Sequence, residues 1–106
     1  MKIEIIPCLK DNYSYLIIDK KNKKACVVDP SEAQPIINYL EKNKIQLTFI
    51  LNTHHHYDHV GGNSELKKKY NSKVVGYAYD SKRIPDIDIL VKDGEIWSKD
   101  NFKAKI

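Results

Sequence analysis

No stretch of the 106-residue chain approaches the roughly 18 consecutive apolar residues of a membrane-spanning helix. The start, Met1-Lys2-Ile3-Glu4, lacks the charged-then-apolar layout of a secretory signal. A cytoplasmic protein without membrane contact is the expectation. Cysteine is scarce as well, because Cys8 and Cys26 are the only two and form no C-x-x-C pair. That argues against a disulfide scaffold or a cysteine-built zinc site and predicts two free thiols in a reducing compartment. Internal repeats and low-complexity linkers are also missing, so residues 1–106 read as one domain.

What is present is an ordinary globular composition, 42% apolar and 30% charged, with a net charge of +4. The positive excess comes from two lysine clusters, Lys20-Lys21-Asn22-Lys23-Lys24 and Lys67-Lys68-Lys69. Such clusters attract acidic substrates or nucleic acids, but no base-reading module or set of stacking aromatics accompanies them. Solvated surface is the expected role, with no nucleic-acid partner.

In chain order, Lys2–Ile6 and Tyr13–Asp19 are β-branched and aromatic runs, separated by Pro7 through Asn12, which is rich in turn formers. After the lysine-rich turn, Ala25–Asp29 predicts a third strand that ends at Asp29-Pro30, where proline removes a backbone donor. These strands form an antiparallel meander. A helix follows, with Ile36, Ile37 and Leu40 on one face as far as about Asn43. Ser31 and Gln34 fit a capping box, whereas a cap at Gln34 would put Pro35 at the first helical position, so two starts stand open.

Leu47–Asn52 is a nearly continuous apolar run, as expected of a strand buried on both faces. Val60–Tyr70 predicts a second helix, with Leu66 and Tyr70 four apart and Lys67–Lys69 mostly toward water. A strand at Lys73–Ala78, an irregular stretch through Pro85, short strands at Ile87–Val91 and Glu95–Trp97 around Asp93-Gly94, and an alternation of Phe102, Ala104 and Ile106 complete the chain.

Between the buried strand and the second helix lies Thr53-His54-His55-His56-Tyr57-Asp58-His59-Val60-Gly61-Gly62, which holds all four histidines. Imidazole and carboxylate groups in this mixture suit zinc or another first-row divalent metal better than calcium or magnesium. His54 and His56, two apart, lie on one side of an extended backbone and can reach one metal. Asp58 and His59 can turn together toward a second metal at a loop-to-helix corner. Two metals about 3.5–4 Å apart can share a bridging hydroxide, since a bound metal lowers the pKa of water to about 7. His55 points away, and Thr53 caps the loop or supports a ligand. Gly61 and Gly62 read equally well as a close backbone approach or as a loose helix start. Against this metal reading stands a polar loop with no metal, or with a single structural zinc.

His54-x-His56-x-Asp58-His59 after a buried strand resembles the signature of the metallo-β-lactamase superfamily. Three stretches resemble glyoxalase II, the hydroxyacylglutathione hydrolases, more narrowly: Leu9–Ile17, Val27–Pro30 and the Thr53–Gly62 loop, with Tyr57 where that family often has tryptophan. The resemblance implies an α/β fold, the N-terminal half of an αββα sandwich with a mixed sheet and two helices. It also implies zinc, two per complete site, with iron or manganese as alternatives. His54 and His56 would hold the first metal and Asp58 and His59 the second, with Asp58 the catalytic residue positioning the attacking hydroxide. The implied reaction is hydrolysis of S-lactoylglutathione-like thioesters to glutathione and a hydroxy acid.

The family pattern further requires two more histidines, a bridging aspartate and glutathione-holding residues, none of which this chain supplies by Ile106. A truncated domain, weak or inactive by itself, is therefore the expectation. Phe102, Ala104 and Ile106 would form an unprotected edge, and a second chain is the expected partner for the exposed half of the fold. The competing readings are a non-catalytic metal- or partner-binding module that needs such a chain, and a fold relative with another substrate.

Overall fold

The computed structural model describes residues 2–8, 12–53, 62–77, 87–92, 96–99 and 102–105. A six-stranded sheet runs in spatial order β1 (Lys2–Cys8), β2 (Asn12–Asp19), β3 (Lys24–Val28), β4 (Gln46–Asn52), β5 (Lys73–Tyr77) and β6 (Ile87–Val91). The first three strands pair antiparallel and the rest parallel, so the sheet is mixed as expected. Helices α1 (Gln34–Asn43) and α2 (Asn63–Tyr70) make the crossovers that parallel neighbours need. β7 (Ile96–Lys99) and β8 (Phe102–Lys105) form a separate antiparallel pair.

Both helices cover one face of the sheet. Ile36, Ile37 and Leu40 of α1 and Leu66 and Tyr70 of α2 pack with Ile6, Leu16, Ile18, Ala25, Val27, Leu47, Ile50 and Val74 in one core. Burial of each large aliphatic side chain here contributes about 1.5–3 kcal/mol relative to exposure. On the opposite face Cys26, Phe49, Val75 and Val91 meet Trp97 and Phe102 from the small sheet. Trp97 and Phe102 stand edge-on to Phe49 at centroid distances of 5.0 and 6.3 Å. The result is three layers: helices, large sheet, small sheet.

Strict alternation breaks in two places, and each break has a side chain filling the gap. Ala25 faces Leu47 but Cys26 faces Phe49, so Thr48 is skipped and its hydroxyl donates to the Ala25 carbonyl at 3.0 Å. This bulge lets Leu47 and Ile50 share the helix side of the sheet. In the same way Asp88 is skipped between Val74–Ile87 and Val75–Ile89, and its carboxylate accepts the Val74 N–H at 2.9 Å and the Lys67 ammonium at 2.8 Å. Partial burial pushes the Asp88 carboxyl up, but hydrogen bonds from Lys67 and the Val74 N–H outweigh it and hold the group below its ordinary value.

Several expectations shift. β1 continues through Pro7 and Cys8, with Pro7 opposite Tyr13 on an edge strand, the position in a sheet that tolerates proline. The cap of α1 is Ala33, without a side-chain hydrogen bond, and Pro35 sits in the first turn, so neither Ser31 nor Gln34 caps it. α2 starts at Asn63 with Gly62 as its cap. Lys67–Lys69 mostly face water as expected, with Lys68 and Lys69 exposed and Lys67 intermediate, and from that surface Lys67 pairs with Asp88 and Lys69 with Glu41 at 3.2 Å. β8 is an edge strand of the two-stranded sheet, but the Phe102 side chain is not exposed there, being 2% exposed in the second core. The readings made at residues 9–11, Val60, Gly61, Ala78, Pro85, Asp93, Gly94, Glu95 and Ile106, and at the side chain of Ala104, lie outside the described residues.

Candidate metal centre

The parallel strands β3 and β4 end side by side, with Val28 opposite Leu51. Beyond their carboxyl ends lie Asp29 and Thr53, the region where open α/β sheets hold ligands. The expected ligands His54, His56, Asp58 and His59, with His55 and Tyr57, fall outside the described residues. What is described is the frame on both shoulders of that segment: Asn52 and Thr53 before it, Gly62 and Asn63 after it.

Asp29 ties the first shoulder. Its backbone has φ of 51°, a left-handed conformation that Asp tolerates better than most side chains, and its N–H donates to the Leu51 carbonyl at 2.8 Å. Its carboxylate then accepts the Thr53 N–H at 2.7 Å and the Thr53 hydroxyl. Thr53 is thereby fixed to Asp29, and its two expected roles toward the loop and the ligands concern contacts outside the described residues.

The second shoulder is tied to the β3–α1 connection. The Gly62 N–H donates to the Pro30 carbonyl at 2.7 Å. A Cβ on Gly62 would lie 2.9 Å from the Glu32 carbonyl carbon, 2.9 Å from the Pro30 oxygen and 3.0 Å from the Ala33 nitrogen. Of the two readings of this glycine, close backbone approach holds among the described residues, and the surface approached there is the β3–α1 connection.

Two buried groups reinforce the frame. The Ser14 hydroxyl donates to the Asp29 carbonyl at 2.8 Å and accepts the Ser31 N–H at 3.4 Å. The Cys8 thiol lies 3.3 Å from the same hydroxyl and 4.0 Å from the Glu32 carbonyl, to which it can donate. Asn52 and Asn63 exchange amide hydrogen bonds, from Asn52 Nδ2 to Asn63 Oδ1 at 3.2 Å and from Asn63 Nδ2 to Asn52 Oδ1 at 2.6 Å. Both side chains are buried, at 7% and 0% exposure. The segment between them thus leaves and returns to one place.

That frame fits a metal-ligand loop. The donor set it carries, three imidazoles and a carboxylate among His54, His56, Asp58 and His59, matches first-row divalent ions. Among the described residues no group of three or more His, Cys, Asp or Glu comes together elsewhere. Both cysteines are free and buried, as expected. Asp29, Asn52, Asn63 and Ser14 were not legible as frame residues; the nearest signal was Asp29-Pro30 at a strand end.

The family model described as the metallo-beta-lactamase superfamily matches residues 10–91. The chain belongs to the metallo-beta-lactamase superfamily. Within it, a protein of Pelagibacter ubique (strain HTCC1062) named hydroxyacylglutathione hydrolase is 65% identical over all of this chain and 44% of its own length. A Methylococcus capsulatus (strain ATCC 33009 / NCIMB 11132 / Bath) protein of the same name is 47% identical over 100% of this chain and 41% of its own. The chain thus spans less than half the length of these relatives. Two crystal structures share the superfamily fold: BLEG-1 B3 metallo-beta-lactamase, at TM-score 0.82 and 20% identity over 96% of this chain and 58% of its own, and ETHE1 from Myxococcus xanthus, at TM-score 0.76 and 21% identity over 99% and 47%. The expected α/β half-sandwich is therefore correct in its mixed sheet and two helices. Among the described residues no helix is long and apolar enough to cross a membrane.

Proposed function

We propose that this chain supplies one side of the two-metal site of a glyoxalase II type hydrolase acting on S-lactoylglutathione-like thioesters. The observation that carries the proposal is the 65% identity over the full chain with a relative named hydroxyacylglutathione hydrolase. His54 and His56 would hold one metal and Asp58 and His59 the other, with zinc the expected ion and iron or manganese the alternatives. Such a pair, when bound, would supply a water activated near neutral pH and positive charge for the developing oxyanion.

The chain's own residues do the positioning. Asp29 fixes Thr53 directly before His54, and the Pro30 carbonyl fixes Gly62 at the other shoulder. Asp58 orients the attacking oxygen toward the thioester carbonyl. Each pair of ligands lacks a third, so affinity and turnover are weak in this chain alone. The cytoplasmic location expected from the sequence belongs to the same proposal. The zinc-loaded chain should cleave S-lactoylglutathione above the level of Asp58→Asn, followed by loss of thioester absorbance. Equal rates for the two proteins would sink the reading.

A second reading has its own observation. Ile3, Ile5, Tyr13 and Tyr15 are exposed on the face of β1 and β2 that turns away from the helices. A chain of this kind works with a complementary polypeptide over that face, catalytic only in the complex. Light scattering after size exclusion decides it: a stable monomer at all concentrations counts against the partner.

A further inference from the structure

We infer that the Asn52–Asn63 amide pair is a positioning device that sets the geometry of the metal-ligand segment, an inference that rests on the metal reading proposed above. Three observations carry it. The pair joins the last residue of β4 to the first of α2, so it spans the segment that holds His54, His56, Asp58 and His59 from outside. It is buried and reciprocal, with each amide both donor and acceptor, which defines distance and twist where an apolar contact would define distance alone. Finally, Thr53 and Gly62 are each tied to the β3–α1 region, whereas the amide pair, among the described contacts, ties the two shoulders directly to each other.

The physical consequence concerns preorganisation. Ordering several ligands of one segment on a metal costs conformational entropy, and a contact that joins the residues on either side of that segment lowers the cost. Metal ligands held by outer hydrogen bonds also keep the orientation that a given ion demands. Asn52 and Asn63 touch no metal in this scheme and act through the ligands between them.

The test uses cobalt(II) on the full chain, with affinity from chelator competition and ligand geometry from the visible d–d bands. Asn63→Ala and Asn52→Ala should each weaken cobalt binding by about 10–100-fold and alter the band pattern. The double variant should lose less than the sum of the two single ones, because the two side chains share the reciprocal contact. Ser72→Ala is the control. It deletes a buried hydroxyl that donates to the Leu47 carbonyl at 2.8 Å, at the far end of the same strand β4, and should lose folding stability while keeping affinity and spectrum. Where a single alanine variant fails to fold, Asn52→Leu with Asn63→Leu replaces it, since that pair removes both partners of the reciprocal contact together, and the same loss is expected. Wild-type affinity and bands in the asparagine variants, or equal losses in Ser72→Ala, would overturn the inference while leaving the metal reading standing. No cobalt binding by the wild-type chain would bring down both.

Discussion

Gly62 donates its N–H to the Pro30 carbonyl at 2.7 Å, and the same oxygen would lie 2.9 Å from a Cβ at Gly62. One contact therefore both anchors the end of the ligand segment and forbids a side chain there. The atoms it faces are backbone on all sides, so relief by a rotamer change is not available.

Gly62→Ala should accordingly destabilise the fold by about 1–3 kcal/mol, the range for overpacking a filled site. Urea denaturation checks this as a lower midpoint at unchanged slope. The φ of −94° at Gly62 is open to alanine, so steric contact alone accounts for the effect. A midpoint equal to wild type would mean that the β3–α1 connection yields freely.

Asp29 holds Thr53 through both carboxylate oxygens. Asp29→Ala removes a charged acceptor from two donors and should cost about 1.5–3 kcal/mol, while Asp29→Asn keeps one acceptor and tolerates the left-handed backbone, costing about 0.5–1.5 kcal/mol. The order of the two variants in thermal or urea unfolding is the readout. Equal costs would contradict both the acceptor that Asn retains and its tolerance of the left-handed backbone.

The large elements were legible because their signals are local. The apolar run Leu47–Asn52 sits between two parallel neighbours, and Ile36, Ile37 and Leu40 form the buried stripe of α1, as the sequence pattern requires. Thr48 and Asp88 show what was not legible: each fills a register shift that depends on the neighbouring strand, which no spacing within one strand reveals. The cap of α1 was misread for a related reason. Ser31 has good capping chemistry, but its N–H is bound to Ser14 and its side chain is buried, so tertiary packing overrides the local signal. In the candidate site the donor types were readable from Thr53–Gly62. The frame was not, because Ser14, Asn52 and Asn63 sit on two strands and a helix and Asp29 on the connection after a third strand.

Cys26 is fully buried, and burial pushes its thiol from 9.0 up to about 12. A raised thiol value favours the neutral form in the folded protein. The associated stability is complete below pH 9 and is lost as pH rises toward about 12. At pH 8 the folded chain should therefore resist thiol-modifying reagents, with labelling of Cys26 appearing only on unfolding in urea. Mass spectrometry of the modified protein locates the site. Rapid modification of Cys26 in the native state at pH 8 would contradict its place in the core beside Phe49.

Ile5 and Tyr15 face each other across β1 and β2 and are 55% and 42% exposed. The adjacent pair Ile3 and Ile17 carries the same face toward the second core, where Ile17 packs. Contiguous apolar surface of this sort favours association. Ile5→Lys with Tyr15→Lys should lower folding stability by only about 0.2–1 kcal/mol, the scale of one cross-strand pair, because neither side chain leaves a buried site. It should, however, shift a concentration-dependent assembly of the wild-type chain toward monomer in light scattering, since lysines opposite one another on an open face repel an apolar partner and each other. An unchanged mass distribution would show that the face of β1 and β2 takes no part in association, and the partner surface would then have to lie elsewhere.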